Sequence, residues 1–520
     1  MENKKKSDAV WVIIDILLLI LIVAGIVMMV SLSGDYKVAK SWNDSKLVLY
    51  EGPKSLKDAT AEDIESVPEN QRDFRLMHCT DTKVSVNGYD CYVYDTNVNH
   101  SRSWESSYYP NQARTPITYF DFEGKAEITV TVPDIDLQSV QVSPLSSKIE
   151  AEVDAANHQV SFTITEPGNY TVTFNDSVVR ALHIFANDIE KDVPDFDDEN
   201  VLYVGPGEWD IDTINLESGQ TLYVSGGAVI HGTVNCSFVD NVKVMGRGII
   251  DGSQYEGWKG KVAHIALQFD NCKDITTQDI ILLNPNAWVC QGYETENGLI
   301  DGIRIISSRP NGDGITLQSC RNMEVKDCFV RSWDDSLVVK NYMGNSESIN
   351  FHDIQLWTDL AQSMEIGYET NKGKHPHSFI KDITFENITV LHNFHKPVVS
   401  VHNADDATVE DILFKNIVVE DAEMGSGDGS EAPYLIDMNI ALNGNWSTTK
   451  ERGQIKNVTI DGLTVLSGRE CPSRIHGYDA EHIVDGVTIK NLNVLGKDIK
   501  DFTEGGFDID EETTANLSIE

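Results

Sequence analysis

A phrase of two short β-branched runs, with Asn, Asp or Gly between them, recurs along the second half of the chain. DNVKVMGRGIIDG from Asp240, KDITFENITVLHN from Lys381 and DGVTIKNLNVLG from Asp485 are three of its copies. Copies follow one another at roughly 20 to 30 residues, apart from one longer interval, which is typical of solenoids whose coils bury their apolar sides against each other. The repeat therefore predicts an all-β fold, a right-handed parallel β-helix over residues 191–500.

The residues before this repeat have a different pattern of apolar and polar residues. EITVTVPD, QVSFTITEPGNYTVTFND and ALHIFAND alternate apolar and polar residues between turn residues, as half-buried antiparallel strands do. A β-sandwich-like domain is expected over residues 35–190. Beyond the repeat, residues 501–520 are acidic and are expected to form a frayed, solvated tail.

The first 34 residues differ in composition from both of these parts. MENKKK is basic, and residues 9–32 are apolar except at Asp15 and Ser31. About 20 apolar residues span a bilayer, whereas the core of a signal peptide usually has about 7 to 15. Residues 1–34 are therefore predicted to be a cytoplasmic stub and a single-pass transmembrane anchor, which places the rest of the chain outside the cytoplasm. The alternative is a cleaved signal peptide and a secreted protein.

Charge and cysteine content exclude two classes of partner. The chain has 82 acidic and 41 basic side chains, and a field of this sign repels nucleic acid. None of the eight cysteines forms a CxxC pair, so no zinc site, other metal site or cofactor is predicted. Cys79 and Cys91 flank an Asn87-Gly88 turn signal and are candidates for a disulfide across a hairpin.

Three carboxylates lie on neighbouring coils of the repeat, a single aspartate on one coil and an adjacent pair on the next. RPNGDGITLQ, residues 309–318, contains Asp313, and SWDDSLVVK, residues 332–340, contains Asp334 and Asp335. One coil advances by the spacing of one strand, roughly 4.8 Å, so the three side chains are expected to stack on one face. The adjacent pair can share that face only at a strand edge or bulge.

Crowded carboxylates raise one another's pKa, so one tends to keep its proton while another stays ionised. Glycosidic bond hydrolysis needs such an acid and base, about 6.5 to 9.5 Å apart for inversion or about 5 to 5.5 Å for retention. Two other interpretations stay open for the same residues. They can be corner aspartates that bind backbone amides, or ligands of a calcium ion in a polysaccharide lyase.

PNGDGI and SWDDSLVVK, with NPNAW at residues 284–288 and SMEIG at residues 363–367, resemble the motif series of the polygalacturonase-type β-helix hydrolases. These are glycoside hydrolase families 28 and 49. The resemblance implies a pectin-lyase-like solenoid, with a preceding β-domain more like that of family 49. It also implies inverting hydrolysis of a polysaccharide, with Asp334 as general acid and Asp313 and Asp335 as bases that activate water.

The resemblance has two departures. Gln362 stands where family 28 has an auxiliary histidine, and no Arg-x-Lys pair that would bind galacturonate carboxylates is evident. A neutral glycan, as for a dextranase, is therefore favoured over a pectic one, and a non-catalytic glycan-binding β-helix is the other alternative. The candidate substrate-binding residues are Trp288, Lys340, Gln362, Glu365, Glu369, His395, Lys396 and His402.

The longer interval, residues 421–454, is rich in Gly and Ser and then apolar, with Trp446 near its end. Loops of this length inside a compact coil are usually functional or disordered. A substrate-contacting loop and a disordered insertion stay open. The partners expected for the whole chain are a polysaccharide and a membrane, and a monomer is expected.

Overall fold

The computed structural model describes residues 38–42, 45–58, 75–99, 113–177, 180–256, 262–425 and 433–520. Within these ranges no helix combines the length and the apolar character needed to cross a bilayer. The predicted anchor at residues 9–32 lies outside the described residues and stays a prediction.

In its described residues, the first part of the chain forms two sheets, one short α-helix, α1 (Lys54–Lys57), and a short 3-10 helix at Leu145–Ser147. Its strands are β1 (Val38–Trp42), β2 (Ser45–Leu49), β3 (Met77–His78), β4 (Lys83–Val86), β5 (Tyr89–Asp90), β6 (Tyr94–Val98), β7 (Ala113–Glu123), β8 (Ala126–Thr131), β9 (Val140–Ser143), β10 (Glu152–Asp154), β11 (Gln159–Ile164), β12 (Gly168–Phe174) and β13 (Ala181–Asp188).

The larger sheet has the order β1-β2-β7-β13-β12-β9, with β6 also on β7 and β3 on β6. The smaller has the order β10-β11-β8-β4-β5. The predicted alternation holds in β8, where every second residue is buried. It fails in β7 and β13, which are buried at consecutive positions because the coils cover the second face of these strands. These two strands also pair in parallel instead of antiparallel. The two sheets share an apolar core.

The second part is one continuous, mostly parallel sheet wound into coils, consistent with a right-handed β-helix. Its strands are β14 (Val201–Val204), β15 (Gly207–Asn215), β16 (Thr221–Val224), β17 (Ala228–Ser237), β18 (Lys243–Met245), β19 (Ile249–Asp251), β20 (Leu267–Asp270), β21 (Lys273–Gln278), β22 (Ile281–Leu283), β23 (Cys290–Tyr293), β24 (Glu296–Asp301), β25 (Arg304–Ile306), β26 (Ile315–Gln318), β27 (Arg321–Lys326), β28 (Phe329–Ser332), β29 (Leu337–Lys340), β30 (Ser346–Thr358), β31 (Met364–Ile366), β32 (Phe379–Asn393), β33 (Val399–Asn403), β34 (Thr408–Val419), β35 (Ile436–Ile440), β36 (Gln454–Val465), β37 (Ser473–His476), β38 (Val484–Val494), β39 (Lys497–Asp498), β40 (Phe507–Ile509) and β41 (Thr514–Ile519).

Parallel pairing between coils builds three walls. Strands β20, β23, β26, β29, β31, β33, β35, β37 and β40 pair in succession and form the cleft wall. The docking wall runs through β17, β19, β22, β25 and β28, and the far wall through β16, β18, β21, β24 and β27. From β30 onward one long strand supplies both of these walls, since its two halves pair with β27 and β28.

The corner between the far and docking walls explains the Asn, Asp and Gly of the repeat. On successive coils this corner residue has a positive φ, which these three residue types tolerate best. Asn387 Nδ2 donates to Asp353 Oδ1 at 3.1 Å, and Asn416 Nδ2 donates to Asn387 Oδ1 at 3.1 Å. The corner side chains therefore form a polar ladder along the solenoid.

Two expectations are corrected. The predicted acidic tail contains β40 and β41, which pair with β37 and β38, and Leu517 and Ile519 pack on the core; the tail is part of the coil stack. All eight cysteines are free thiols. The Cys79 and Cys91 amides donate to the carbonyls of other residues, Val93 and Val84, so this register does not pair the two thiols and the predicted bridge is wrong.

The sandwich packs on the docking wall through an apolar interface of its own. Its members are Tyr50, Leu76, Tyr94, Val98, Ile117, Tyr119, Ala181 and Phe185 from the sandwich, and Val229, Ile249, Ile281, Leu283, Ile306, Phe329, Trp357 and Leu391 from the coils. The interface leaves the cleft wall uncovered by the sandwich sheets, and the candidate site lies there.

Candidate active site

Four polar or aromatic side chains stand at equivalent positions just before strands of the cleft wall: Trp288, Asp313, Asp335 and Gln362. In each of the first three cases, the next backbone N–H donates to the carbonyl of the equivalent residue one coil further on, at 3.0, 2.8 and 2.8 Å. The solenoid therefore places Asp313 and Asp335 on neighbouring coils in one column.

The glycines on either side of Asp313 fit a backbone with no room for a side chain. A Cβ on Gly314 would lie 2.5 Å from the carbonyl oxygen of Ser336, and one on Gly312 would lie 2.7 Å from that of Arg309. The GDG motif therefore lets the turn pass close to the next coil while its aspartate is presented to the cleft.

Asp334 lies in the irregular backbone between β28 and β29. Its Oδ2 accepts the N–H of Asn311 at 2.9 Å, and its Oδ1 accepts the N–H of Asp335 at 3.1 Å. Ser332 Oγ donates to the Asp334 carbonyl at 2.7 Å and fixes the turn. Because both aspartates lie outside regular strand, the alternation of strand faces does not separate them, and both line the cleft.

Lys340 ties Asp313 to a fourth carboxylate. Its Nζ lies 3.3 Å from Oδ2 of Asp313 and 3.6 Å from Oε2 of Glu369, and Trp288 Nε1 donates to the same Asp313 oxygen at 3.1 Å. Burial raises the pKa of Asp313 to about 7, with Lys340 opposing and Asp334 adding to the rise. Burial disfavours the ammonium of Lys340, but Glu369 and Asp313 outweigh it and raise its pKa well above the usual value.

Asp335 is held on its other side by the coil that follows. Its Oδ1 accepts the N–H of Gln362 at 3.1 Å. Burial, and then the charges of Asp334 and Asp313, raise the pKa of Asp335 well above its usual range. The cleft therefore keeps a proton among its carboxyl groups at neutral pH, which is the division into acid and base that hydrolysis requires.

A cation and an aromatic ring complete the side of the cleft at Glu369. Lys372 Nζ lies 3.5 Å from Oε1 of Glu369 and 4.7 Å above the ring of Tyr342. The Tyr342 hydroxyl lies 3.4 Å from the same carboxylate oxygen. Burial alone would raise the pKa of Glu369, but Lys340 and Lys372 lower it.

The resulting cleft has a volume of about 180 Å³. Its lining contains all three candidate catalytic aspartates and five of the eight candidate binding residues. The lining residues are Trp288, Asn311, Asp313, Asp334, Asp335, Lys340, Tyr342, Gln362, Tyr368, Glu369, Lys372, Lys396 and Trp446.

Three predicted binding residues do not line the cleft. Glu365 and His402 are buried behind it, 0 % and 1 % exposed at their side chains, and pair with each other. His395 is also buried and packs edge-on against Phe394 at 4.9 Å. Spacing placed these residues on the correct coils but could not show that other side chains cover them.

Five lining residues were not among the predicted binding residues: Asn311, Tyr342, Tyr368, Lys372 and Trp446. Tyr342 and Tyr368 each follow a cleft-wall strand by two residues, which is a signal that could have been used. Trp446 belongs to the long interval, so its place in the lining supports the substrate-contacting interpretation of that loop. Within the described ranges, no group of three or more His, Cys, Asp or Glu is arranged to hold a metal ion.

Comparison with known proteins gives the family. The model of glycosyl hydrolases family 28 matches residues 207–505, more than half of the 520 residues. The chain belongs to this family. The match covers every strand of the cleft wall up to β37 and all three aspartates, so the family that the motifs suggested is confirmed.

Individual relatives align with shorter stretches of this chain than the family model does. A probable polygalacturonase of Vitis vinifera is 32% identical over 105 residues, 20% of this chain and 21% of the relative. An exopolygalacturonase of Arabidopsis thaliana is 24% identical over 258 residues, 42% of this chain and 60% of the relative. The chain thus spans between a fifth and three fifths of these proteins.

Dex49A from Penicillium minioluteum superposes with a TM-score of 0.55 at 14% identity, covering 94% of this chain and 100% of that one. At this identity the likeness is one of fold. It extends beyond the coils into the sandwich.

Proposed function

We propose that the chain hydrolyses O-glycosidic bonds of a polysaccharide with inversion of configuration. The observation that carries the proposal is the convergence of Asp313, Asp334 and Asp335 in one cleft on neighbouring coils. Asp334 protonates the oxygen of the leaving sugar while Asp313 and Asp335 hold the attacking water, and one of these two carboxylates takes its proton.

The hydrogen bonds of the cleft favour this use of two bases. Trp288 and Lys340 both donate to Oδ2 of Asp313, and the Gln362 amide donates to Oδ1 of Asp335. One oxygen of each carboxylate thus accepts from protein donors. The other oxygen of each is proposed to accept from the attacking water, and one of the two takes its proton.

A second assignment is favoured by one observation. Burial and the charges of Asp334 and Asp313 raise the pKa of Asp335, which favours its protonated form and suits a general acid. Aryl glycosides separate the two assignments, because a good leaving group needs no acid. The acid's Asp→Asn variant is expected to regain activity on a dinitrophenyl glycoside, and a base variant is not.

The substrate is proposed to be a neutral glycan, with a pectic one as second candidate. The neutral choice rests on the anionic chain and on the pairing of Lys340 and Lys372 with Glu369, which leaves them less able to bind a uronate. The pectic choice is favoured by Lys396, which lines the cleft and pairs with no carboxylate of the described residues. The similarity to polygalacturonases also favours it.

The first experiment measures reducing-end release by the full chain from dextran, pullulan, other neutral glycans and polygalacturonate. Asp334→Asn is expected to lower kcat by about 10²- to 10⁴-fold and to leave binding of the cleaved glycan intact. Asp411→Asn, at an exposed corner where it accepts from Asn457, is the matched control and is expected to retain activity. Proton NMR of the first product anomer tests inversion.

Other results would contradict the proposal. A product with ultraviolet absorbance, and activity lost to a chelator, would indicate a calcium-dependent lyase. Glycan binding that no Asp→Asn change affects, without release of any product, would indicate a binding protein.

We also propose that residues 9–32 anchor the protein in the cell membrane, with the cleft on the extracytoplasmic side. The support is the apolar length and the lysines before it. The full chain is expected in the membrane fraction after a high-salt wash. Recovery of the activity in the soluble fraction would contradict the anchor and favour secretion.

A further inference from the structure

A histidine lies enclosed behind the cleft between two carboxylates. Nδ1 of His402 lies 2.9 Å from Oε1 of Glu365, and its Nε2 lies 3.1 Å from Oδ2 of Asp437. Nδ1 is hydrogen-bonded to Glu365, whereas Nε2 lies within ion-pair distance of Asp437 without the geometry of a hydrogen bond. Burial alone would lower the pKa of His402, but Glu365 and Asp437 raise it to about 10. The ring is therefore an imidazolium at neutral pH.

Arg474 completes this buried network. Its Nε and Nη2 donate to the two oxygens of Asp437 at 2.9 and 2.8 Å. Negative and positive groups thus alternate along Glu365, His402, Asp437 and Arg474, and each charge has a partner. The pairing of charges holds these side chains in place, since moving any member leaves a buried charge unpaired.

The ring of Tyr368 rests on the imidazolium. The two ring centroids are 4.2 Å apart and the planes differ by 5°, a geometry in which a cation stabilises an aromatic face. Burial first, and then the charges of Glu365, Asp437 and Asp335, raise the pKa of the Tyr368 phenol. One face of the ring is covered by His402, so its contribution to the cleft lining comes from the other face and the edge.

The backbone around Tyr368 packs on His402 and on Ala404, two residues further along the chain. A Cβ on Gly367 would lie 1.8 Å from the carbonyl oxygen of His402, and the Tyr368 carbonyl accepts the N–H of Ala404 at 3.2 Å. The next residue, Glu369, is the partner of Lys340. The segment held by His402 therefore delivers an aromatic ring and a carboxylate to the cleft.

We propose that Tyr368 is a saccharide-stacking residue beside Asp335, and that His402 is the positioning residue that holds its ring. The inference rests on the proposed function, from which the class of ligand, a saccharide, is taken. The C–H face of a pyranose packs well on an aromatic ring with an apolar body. This contact depends on the sugar face and not on a charge, so it serves a neutral ring and a uronic acid ring alike.

The test measures binding of isomaltotriose and trigalacturonic acid to the full chain by calorimetry, with KM and kcat for whichever polysaccharide is cleaved. Tyr368→Ala is expected to weaken binding roughly three- to tenfold and to raise KM with little change in kcat. Tyr368→Phe keeps the ring and is expected to bind as the wild type does.

The role of His402 is tested through Tyr368. His402→Gln is expected to weaken binding about as much as Tyr368→Ala, and the double variant is expected to bind no more weakly than Tyr368→Ala alone. If His402→Gln does not fold, Asp437→Asn perturbs the same network more mildly and is expected to weaken binding in the same direction. Circular dichroism and thermal unfolding of each variant accompany the measurement.

His392→Gln is the matched control, since His392 is a buried histidine paired with Asp421 at 2.8 Å outside the cleft lining. It is expected to lose stability without loss of binding. Wild-type binding by Tyr368→Ala, additive losses in the double variant, or no binding of either trisaccharide by the wild type would each overturn the inference. A chain that binds through Tyr368 but cleaves nothing would refute the proposed hydrolysis alone.

Discussion

At the scale of single residues, the charge of Asp313 depends on its burial and on the cation beside it. Burial raises its pKa to about 7 and Lys340 limits the rise. As a base, Asp313 must be ionised, so kcat/KM is expected to fall below about pH 7. Lys340→Met removes the opposing cation and raises the pKa further, which moves the acidic limb of kcat/KM to higher pH by about one unit or more.

The pH dependence of kcat/KM for the wild type and the Lys340→Met variant checks this expectation. Lys381→Met is the control, because Lys381 pairs with Glu347 on the surface of the far wall. An acidic limb that does not move in the Lys340 variant would mean that Asp313 is not the group whose ionisation limits the rate.

The sequence was informative about these residues where chemistry and spacing coincide. Asp313, Asp334 and Asp335 can be identified from the sequence because a GDG turn and an aspartate pair lie one coil apart. Glu365 and His402 were misplaced, since residues at a suitable spacing can either face ligand or support a residue that does. The supporting role of these two residues follows from the stacking of Tyr368 on His402, and no sequence pattern predicts that contact.

At the scale of elements, the short strand β31 ends at a position that only glycine can occupy. Gly367 has a φ of 109° and faces the His402 carbonyl. Gly367→Ala is expected to lower the free energy of unfolding by about 1 to 3 kcal/mol and to reduce activity, because Tyr368 and Glu369 follow directly. Thermal and chemical unfolding with the glycan assay measure both effects.

Gly444→Ala offers the comparison for this strand end, since a Cβ there meets nothing within 4 Å. Its effect on stability is expected to stay within about 0.5 kcal/mol. Equal effects of the two substitutions would show that the segment after β31 is not held against His402.

The elements themselves were largely predictable, because period-two alternation and corner residues are local signals. Asn387 and Asn416 mark their corners through their positive φ. The order of the tail is not visible in the sequence for a physical reason: β41 is short and follows an acidic stretch, and its partial burial comes from pairing with β38. The merging of two walls into the single strand β30 likewise depends on contacts between coils and not on local sequence.

At the scale of the whole molecule, the sandwich and the coils share buried polar contacts as well as apolar ones. Arg331 lies in β28, the docking-wall strand of the coil that carries Asp334, and it is fully buried. Its Nε donates to Asp359 at 3.1 Å and its Nη1 lies 3.2 Å from Nε2 of His183 in the sandwich. Burial, and then Arg331, lower the pKa of His183 well below its usual value, so a neutral His183 accepts this bond.

Arg331→Met is therefore expected to affect both parts of the molecule. It leaves Asp359 buried without its cation and His183 without its donor, which is expected to cost about 3 to 5 kcal/mol of unfolding free energy. Arg331 stands three residues before Asp334, so kcat is expected to fall as well. Arg321→Met, which removes an exposed ion pair with Glu296, is expected to cost about 0 to 1 kcal/mol. Denaturant unfolding of the two variants makes the comparison, and a loss no larger for Arg331 than for Arg321 would mean that the sandwich does not support the catalytic coil through this contact.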